Sequence, residues 1–69
     1  MTKISFFLNQ QQYTVNKSIT VLDILTYLNY NMALFVLEYN KKIISKAEFS
    51  KTSIKSNDCI EIITIVGGG

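Results

Sequence analysis

Residues 20–28 read Thr20-Val21-Leu22-Asp23-Ile24-Leu25-Thr26-Tyr27-Leu28, the one clear helix in a chain otherwise patterned as strands. Val21, Ile24, Leu25 and Leu28 fall at i, i+3, i+4 and i+7, an apolar stripe about two turns long that must lie on an apolar layer. Thr20 stands where a hydroxyl caps the first amides. Asp23, three residues on, stands where a carboxylate reaches back to that cap and favours the positive end of the helix dipole. Residues 29–31, with Asn29 and Asn31, close the helix, because short amide side chains tolerate left-handed and turn conformations.

On either side the period changes from 3.6 to 2. Residues 3–8 alternate Ile4, Phe6 and Leu8 against Lys3, Ser5 and Phe7, as a half-buried strand does. Residues 9–11 read as a turn, and residues 12–15 as a short strand returning in a hairpin with Tyr13 and Val15 on one face. After the helix, residues 34–39 form a third strand, followed by a turn at Asn40 and Lys41 and a short apolar segment at Ile43 and Ile44. Residues 45–57 are polar apart from the anchors Phe49 and Ile54, so the spacing predicts a loop with room for one helical turn. Residues 59–66 are apolar at nearly every position, which places this last strand in the centre of the sheet. Two strands, a helix and three more strands in so short a chain imply an α+β fold. The arrangement is the β-grasp, or ubiquitin-like, fold: a mixed four- to five-stranded sheet with one main helix packed on one face. The domain is expected over residues 1–66, with residues 67–69 as a flexible glycine tail.

A chain of 69 residues buries only ~60% of the surface it exposes when unfolded, so its core must be efficient. A 48% hydrophobic content with four Phe and four Tyr makes this feasible. The single cysteine, Cys59, excludes an internal disulfide. No apolar stretch approaches the ~20 residues that cross a bilayer, and no signal peptide is evident. Membrane association is therefore not expected. The net charge of +2 comes from scattered lysines with only Lys41 and Lys42 adjacent, which argues against nucleic-acid binding. Arginine is absent while Ile, Lys, Asn and Tyr abound, as in an AT-rich genome such as that of an organelle or a low-GC bacterium. A soluble protein of the cytoplasm, or of the plastid stroma if organelle-encoded, is expected.

With no histidine and one cysteine, the chain has neither a nucleophile with an imidazole base nor a His/Cys metal site of ordinary ligand count. The five carboxylates, Asp23, Glu38, Glu48, Asp58 and Glu61, are widely spaced and suit caps, turns and solvated strand positions. Cys59 reads as a small core or edge residue, not a redox centre. Catalytic and metal-binding residues are thus not expected. What remains is the ending, Gly67-Gly68-Gly69 directly after a β-branched run. Residues without Cβ atoms can thread a slot too narrow for any side chain, which singles out the carboxylate of Gly69 as the reactive group and Gly67 and Gly68 as its passage.

These features resemble the thiamine-biosynthesis sulfur carrier family, ThiS. The likeness spans nearly the whole chain: the N-terminal hairpin, the Thr20-Val21-Leu22-Asp23-Ile24-Leu25 helix, Asn40 before Ile43 and Ile44, Phe49, and Asp58-Cys59-Ile60-Glu61-Ile62 leading to Val66-Gly67-Gly68-Gly69. Two positions depart from the family pattern. Asn57 stands where Gly or Asp is frequent, and Ser45 where Pro is. The resemblance implies a protein-sized cosubstrate with no active site and no bound cofactor of its own. It implies as partners an E1-like adenylyltransferase (ThiF type) that uses ATP and Mg²⁺ to adenylate Gly69. It also implies a sulfur donor such as a cysteine desulfurase persulfide, and a thiazole synthase (ThiG type) that receives sulfur from the thiocarboxylate. The small sulfur-carrier subunit of molybdopterin synthase shares the fold and the Gly-Gly end and is the alternative within this chemistry. A ubiquitin-like interaction or modifier module is the alternative outside it.

Alternation along the last strand predicts Ile60 and Ile62 under the helix and turns Glu61, Ile63 and Ile65 to the other face. Phe7 and Val36 should emerge there from neighbouring strands. Unless residues 45–57 fold over it, this apolar face is a partner interface beside the tail.

Overall fold

The structure, a computed structural model, describes residues 3–31 and 33–64 of the chain. Strand β1 (Ile4–Leu8) turns into β2 (Gln11–Val15), helix α1 (Val21–Tyr27) crosses to β3 (Phe35–Tyr39) and β4 (Lys42–Ile44), and a short helix α2 (Lys46–Phe49) precedes β5 (Cys59–Thr64). The strands form one sheet in the order β2-β1-β5-β3-β4. β5 runs parallel to β1 and antiparallel to β3, so the last strand is central, as its composition predicts.

Both hairpins close with two residues in the left-handed region, Asn9 (φ 49°) with Gln10 (φ 68°) and Asn40 (φ 53°) with Lys41 (φ 71°). This is the type I′ requirement that matches strand twist, met here without glycine. The α1 cap is a complete capping box. The Thr20 hydroxyl accepts from the Asp23 amide at 3.1 Å, and the Asp23 carboxylate accepts from the Thr20 amide at 2.9 Å. At the other end Asn29 (φ 61°) takes the left-handed position. The Tyr30 amide reaches the Leu25 carbonyl and the Asn29 amide the Thr26 carbonyl, both at 3.1 Å. This is a Schellman closure, with Tyr30 packing back toward the core.

Phe6, Leu8, Val21, Ile24, Leu25, Phe35, Leu37, Phe49, Ile54 and Ile60 make the buried core between helix and sheet. Phe35 and Phe49 stack at 6.4 Å, and Phe6 and Tyr13 at 5.8 Å. Phe49 and Ile54 reach this core because their segment is tied to the entry of α1. The Val21 amide donates to the Thr52 carbonyl and the Ile54 amide to the Ile19 carbonyl, both at 2.9 Å. The segment expected as a loop thus carries α2, whose first turn is held by the Ser45 amide donating to Glu48 at 2.8 Å. Residues 45–57 close the helix side and leave the other face of the sheet uncovered, with Ile63 44% and Ile43 66% exposed.

Ile62 lies on the helix side with Ile60, as alternation predicts, packed against the core but half-buried where Ile60 is fully buried. One expectation is corrected. Cys59 is neither core nor edge. It is exposed on the open face of the central strand, directly opposite Phe7.

Candidate functional site

The chain's chemistry converges on the route of β5 toward residues 65–69. At its start, the buried Asp58 carboxylate gathers three donors from two segments. The Lys55 amide donates at 2.7 Å and the Asn40 side-chain amide at 3.1 Å, and the Tyr39 hydroxyl donates to the same carboxylate. Asn57 (φ 72°) supplies the left-handed residue that turns the chain into this position, a geometry for which a short amide substitutes for glycine. Asn40 also accepts from the Cys59 amide at 2.8 Å, and its own amide donates to the Cys59 carbonyl at 2.8 Å. The β3–β4 turn is thereby fastened to the first residue of β5. Burial opposes ionisation of Asp58, yet the Tyr39, Lys55 and Asn40 donors outweigh it and hold its pKa below the usual carboxylate value. Tyr39 is pushed up to about 12, first by its own burial and then by the hydrogen bond and charge of Asp58.

Farther along, the ladder to β1 ends at Leu8 opposite Ile60, and the Asn9 side chain takes over by accepting from the Ile62 amide at 2.7 Å. β3 pairs with β5 as far as Phe35 opposite Thr64. The strand is therefore held on both edges as far as Ile62 and by β3 alone from there to Thr64. From Thr64, five residues span at most ~18 Å. Ile65, Gly67, Gly68 and Gly69 lie outside the described residues. All three glycines of the chain fall in that segment, while the six left-handed positions among the described residues are filled by Asn9, Gln10, Asn29, Asn40, Lys41 and Asn57. Glycine is absent even where backbone geometry favours it, so its clustering at 67–69 is not a habit of composition.

The open face carries the expected partner residues. Val36 stands directly opposite Ile63, and Phe7 emerges from β1 opposite Cys59. Between them lies a row missed by reading strands singly. Glu38 faces Glu61 across β3 and β5, and Ile43 faces Glu38 from β4. The apolar residues therefore form two lobes, Phe7 on one side and Val36 with Ile63 on the other, divided by two carboxylates. Ile43 belongs to this face because Ile44, opposite the buried Leu37, points to the core. Strict alternation through residues 42–44 is the signal that would have found it. Among the described residues no group of three His, Cys, Asp or Glu could hold a metal ion, and no helix is long and apolar enough to cross a membrane.

Comparison with known proteins places this geometry in a family. The crystal structure of thiamine biosynthesis protein ThiS from Geobacter metallireducens superposes with a TM-score of 0.79 at 26% identity, covering 96% of this chain and all of that one. The ycf40 protein of Trieres chinensis is 49% identical over the full length of both chains, and that of Porphyra purpurea 33% identical over 96% of this chain and 93% of its own. The ThiS family model matches residues 4–69, from the first strand through the three glycines; the chain belongs to the ThiS family.

Proposed function

We propose that this protein is a sulfur carrier that supplies the sulfur of the thiamine thiazole ring, its working group being the carboxylate of Gly69. The observation that carries the reading is the course of β5. It is the central strand, pinned at Asp58 and Asn9 and paired with β1 and β3, and in the sequence it runs on into three consecutive glycines.

An ionised terminal carboxylate, with a pKa of ~3.3, is a poor electrophile at neutral pH. A partner adenylyltransferase using ATP and Mg²⁺ lets the Gly69 carboxylate oxygen attack the α-phosphorus, expelling pyrophosphate and leaving an acyl-adenylate. A persulfide sulfur on the donor, such as a cysteine desulfurase, then attacks the acyl carbon and AMP departs, forming an acyl disulfide. A second thiol attacks the donor-side sulfur, forming a disulfide with it and releasing the thiocarboxylate. Apart from the Gly69 carboxylate, which is the nucleophile toward ATP, the carrier supplies no side chain to these steps. It contributes a strand held by its neighbours, a tip without side chains, and a docking surface of Phe7, Val36 and Ile63 that the adenylyltransferase and thiazole synthase use in turn. The thiamine branch is supported by the Geobacter metallireducens structure, a thiamine biosynthesis protein. Residue usage typical of an AT-rich genome supports the plastid stroma as the compartment.

Reconstitution tests the branch. The thiocarboxylate form, mixed with thiazole synthase and its small-molecule substrates, is expected to yield the thiazole phosphate with loss of the carrier's sulfur. Sulfur delivery to a molybdopterin precursor, with none to thiazole synthase, would contradict the assignment.

A further inference from the structure

β2 (Gln11–Val15) is an outer strand of the sheet. Its register with β1 is continuous from Leu8–Gln11 to Ile4–Val15 across a two-residue turn. In such a ladder alternate pairs exchange hydrogen bonds, so the N–H and C=O groups of Gln12 and Thr14 point away from the sheet. Native sheets blunt an edge of this type with lysine, proline, a bulge or brevity. The opposite edge, β4, has three residues and begins at Lys42. β2 has five residues, Gln-Gln-Tyr-Thr-Val, and carries none of these protections.

Between this edge and α1 runs an open groove of about 1060 Å³ whose walls include Tyr13, Val15, Ile24 and Tyr27. Its size lies at the upper limit of small-molecule clefts, ~300–1000 Å³, and suits a length of chain. Tyr13 and Val15 are half-buried, while Tyr27 is 81% exposed, a large ring left standing in water beside a strand edge that no other described strand pairs with. The charges in the lining are Lys3, Lys17 and Asp23. Ile4 pairs with Val15, so Lys3 and Lys17 both stand at the Val15 end, whereas the Asp23 carboxylate is engaged by the Thr20 amide.

We propose that the β2 edge and this groove bind an extended segment of a partner protein, added antiparallel to β2. Its alternate apolar side chains rest on Tyr13, Val15 and Tyr27, and acidic residues at its N-terminal end meet Lys3 and Lys17. The groove lies on the helix side of the sheet, so a segment held there leaves Phe7, Val36 and Ile63 free on the other face. A partner tethered by β2 can then release the open face to a second partner without losing the carrier.

The test is a titration of the ¹⁵N-labelled full chain with the synthetic peptide acetyl-Asp-Asp-Thr-Val-Thr-Ile-Thr-amide. Saturable shifts are expected at residues 11–15 and 21–27, with the Gln12 and Thr14 amides becoming protected from hydrogen exchange. Thr14→Pro removes an outward N–H at a position where an edge strand tolerates proline, so it should keep the fold and abolish binding. Lys3→Glu with Lys17→Glu should weaken binding at least about fivefold. Several results would overturn the proposal: no shifts up to the peptide's solubility, shifts at Phe7, Val36 and Ile63 instead, or unchanged binding by both variants. β2 shifts that move with the protein's own concentration would also overturn it, by assigning the edge to a second copy of the chain.

Discussion

Ile63→Glu and Ile60→Glu separate docking from folding within a single strand. Fully burying an isoleucine is worth ~1.5–3 kcal/mol, and Ile63 remains 44% exposed, so removing its buried portion should cost about 1 kcal/mol. A domain of 69 residues has roughly 3–10 kcal/mol of stability. Ile63→Glu should therefore stay folded, with a melting temperature lowered by about 4–8 °C. Ile60 is fully buried beneath α1, and a carboxylate there has no partner. Its cost of several kcal/mol is comparable with the whole stability, so Ile60→Glu should unfold the chain. Binding to the adenylyltransferase should respond to Ile63→Glu far more than folding does. A charge placed in the apolar lobe shared with Val36, next to Glu61 on the same strand, should cost about 2 kcal/mol, a loss of about 30-fold. Circular dichroism melts followed by calorimetric titration give both numbers. Undiminished affinity of folded Ile63→Glu would remove the open face from recognition. An unfolded Ile63→Glu beside a folded Ile60→Glu would mean that β5 is out of register by one residue.

Gly68→Val should melt like the parent yet resist adenylation, through clash of the branched side chain and lost backbone freedom; turnover at the parental rate would reduce the glycines to a spacer. Cys59→Ser should stay within roughly 0.5 kcal/mol of the parent and retain sulfur transfer, and a folded but inactive variant would reveal a relay thiol. Asp58 has a depressed pKa when folded, so its contribution is present above the ordinary carboxylate pKa and is lost as pH falls through the folded value. Tyr39 has a raised pKa, so its contribution is present below 10 and is lost as pH rises toward about 12. Urea midpoints measured from acid to alkali should show a plateau with both shoulders. Asp58→Asn should shrink the acid shoulder, to which Glu48 also contributes through the Ser45 hydrogen bonds that lower its pKa, and Tyr39→Phe should remove the alkaline one, while shoulders unchanged in both variants would refute this pairing.

The helix and the core-facing strand residues are legible because each obeys a single period: Val21, Ile24 and Leu25 at helical spacing, Phe6 and Leu8 at strand spacing. Helix α2 is less so, since Lys46, Ala47 and Glu48 offer no apolar stripe in four residues. Its signal was the Ser45-to-Glu48 spacing of a capping box. The central place of β5 follows from its composition, but the Glu38–Glu61 row is invisible until β3 and β5 are paired. Each carboxylate alone looks like a solvated strand position. The half-burial of Ile62 likewise depends on where the helix ends over the sheet, which no single strand's pattern encodes, whereas the exposure of Cys59 follows from its alternation with the buried Ile60. The departure at Asn57 is explained by its left-handed backbone.

The central claim is that the carboxylate of Gly69 accepts sulfur. Incubating the purified chain with its adenylyltransferase, ATP, Mg²⁺, a persulfide donor and a thiol, then measuring intact mass, tests it directly. The expected result is a gain equal to one oxygen-to-sulfur exchange, located on Gly69 by fragmentation and absent both from a chain lacking Gly69 and from one extended by a residue beyond it. Sulfur found on Cys59, or an extended chain thiolated at its new terminus, would contradict the account.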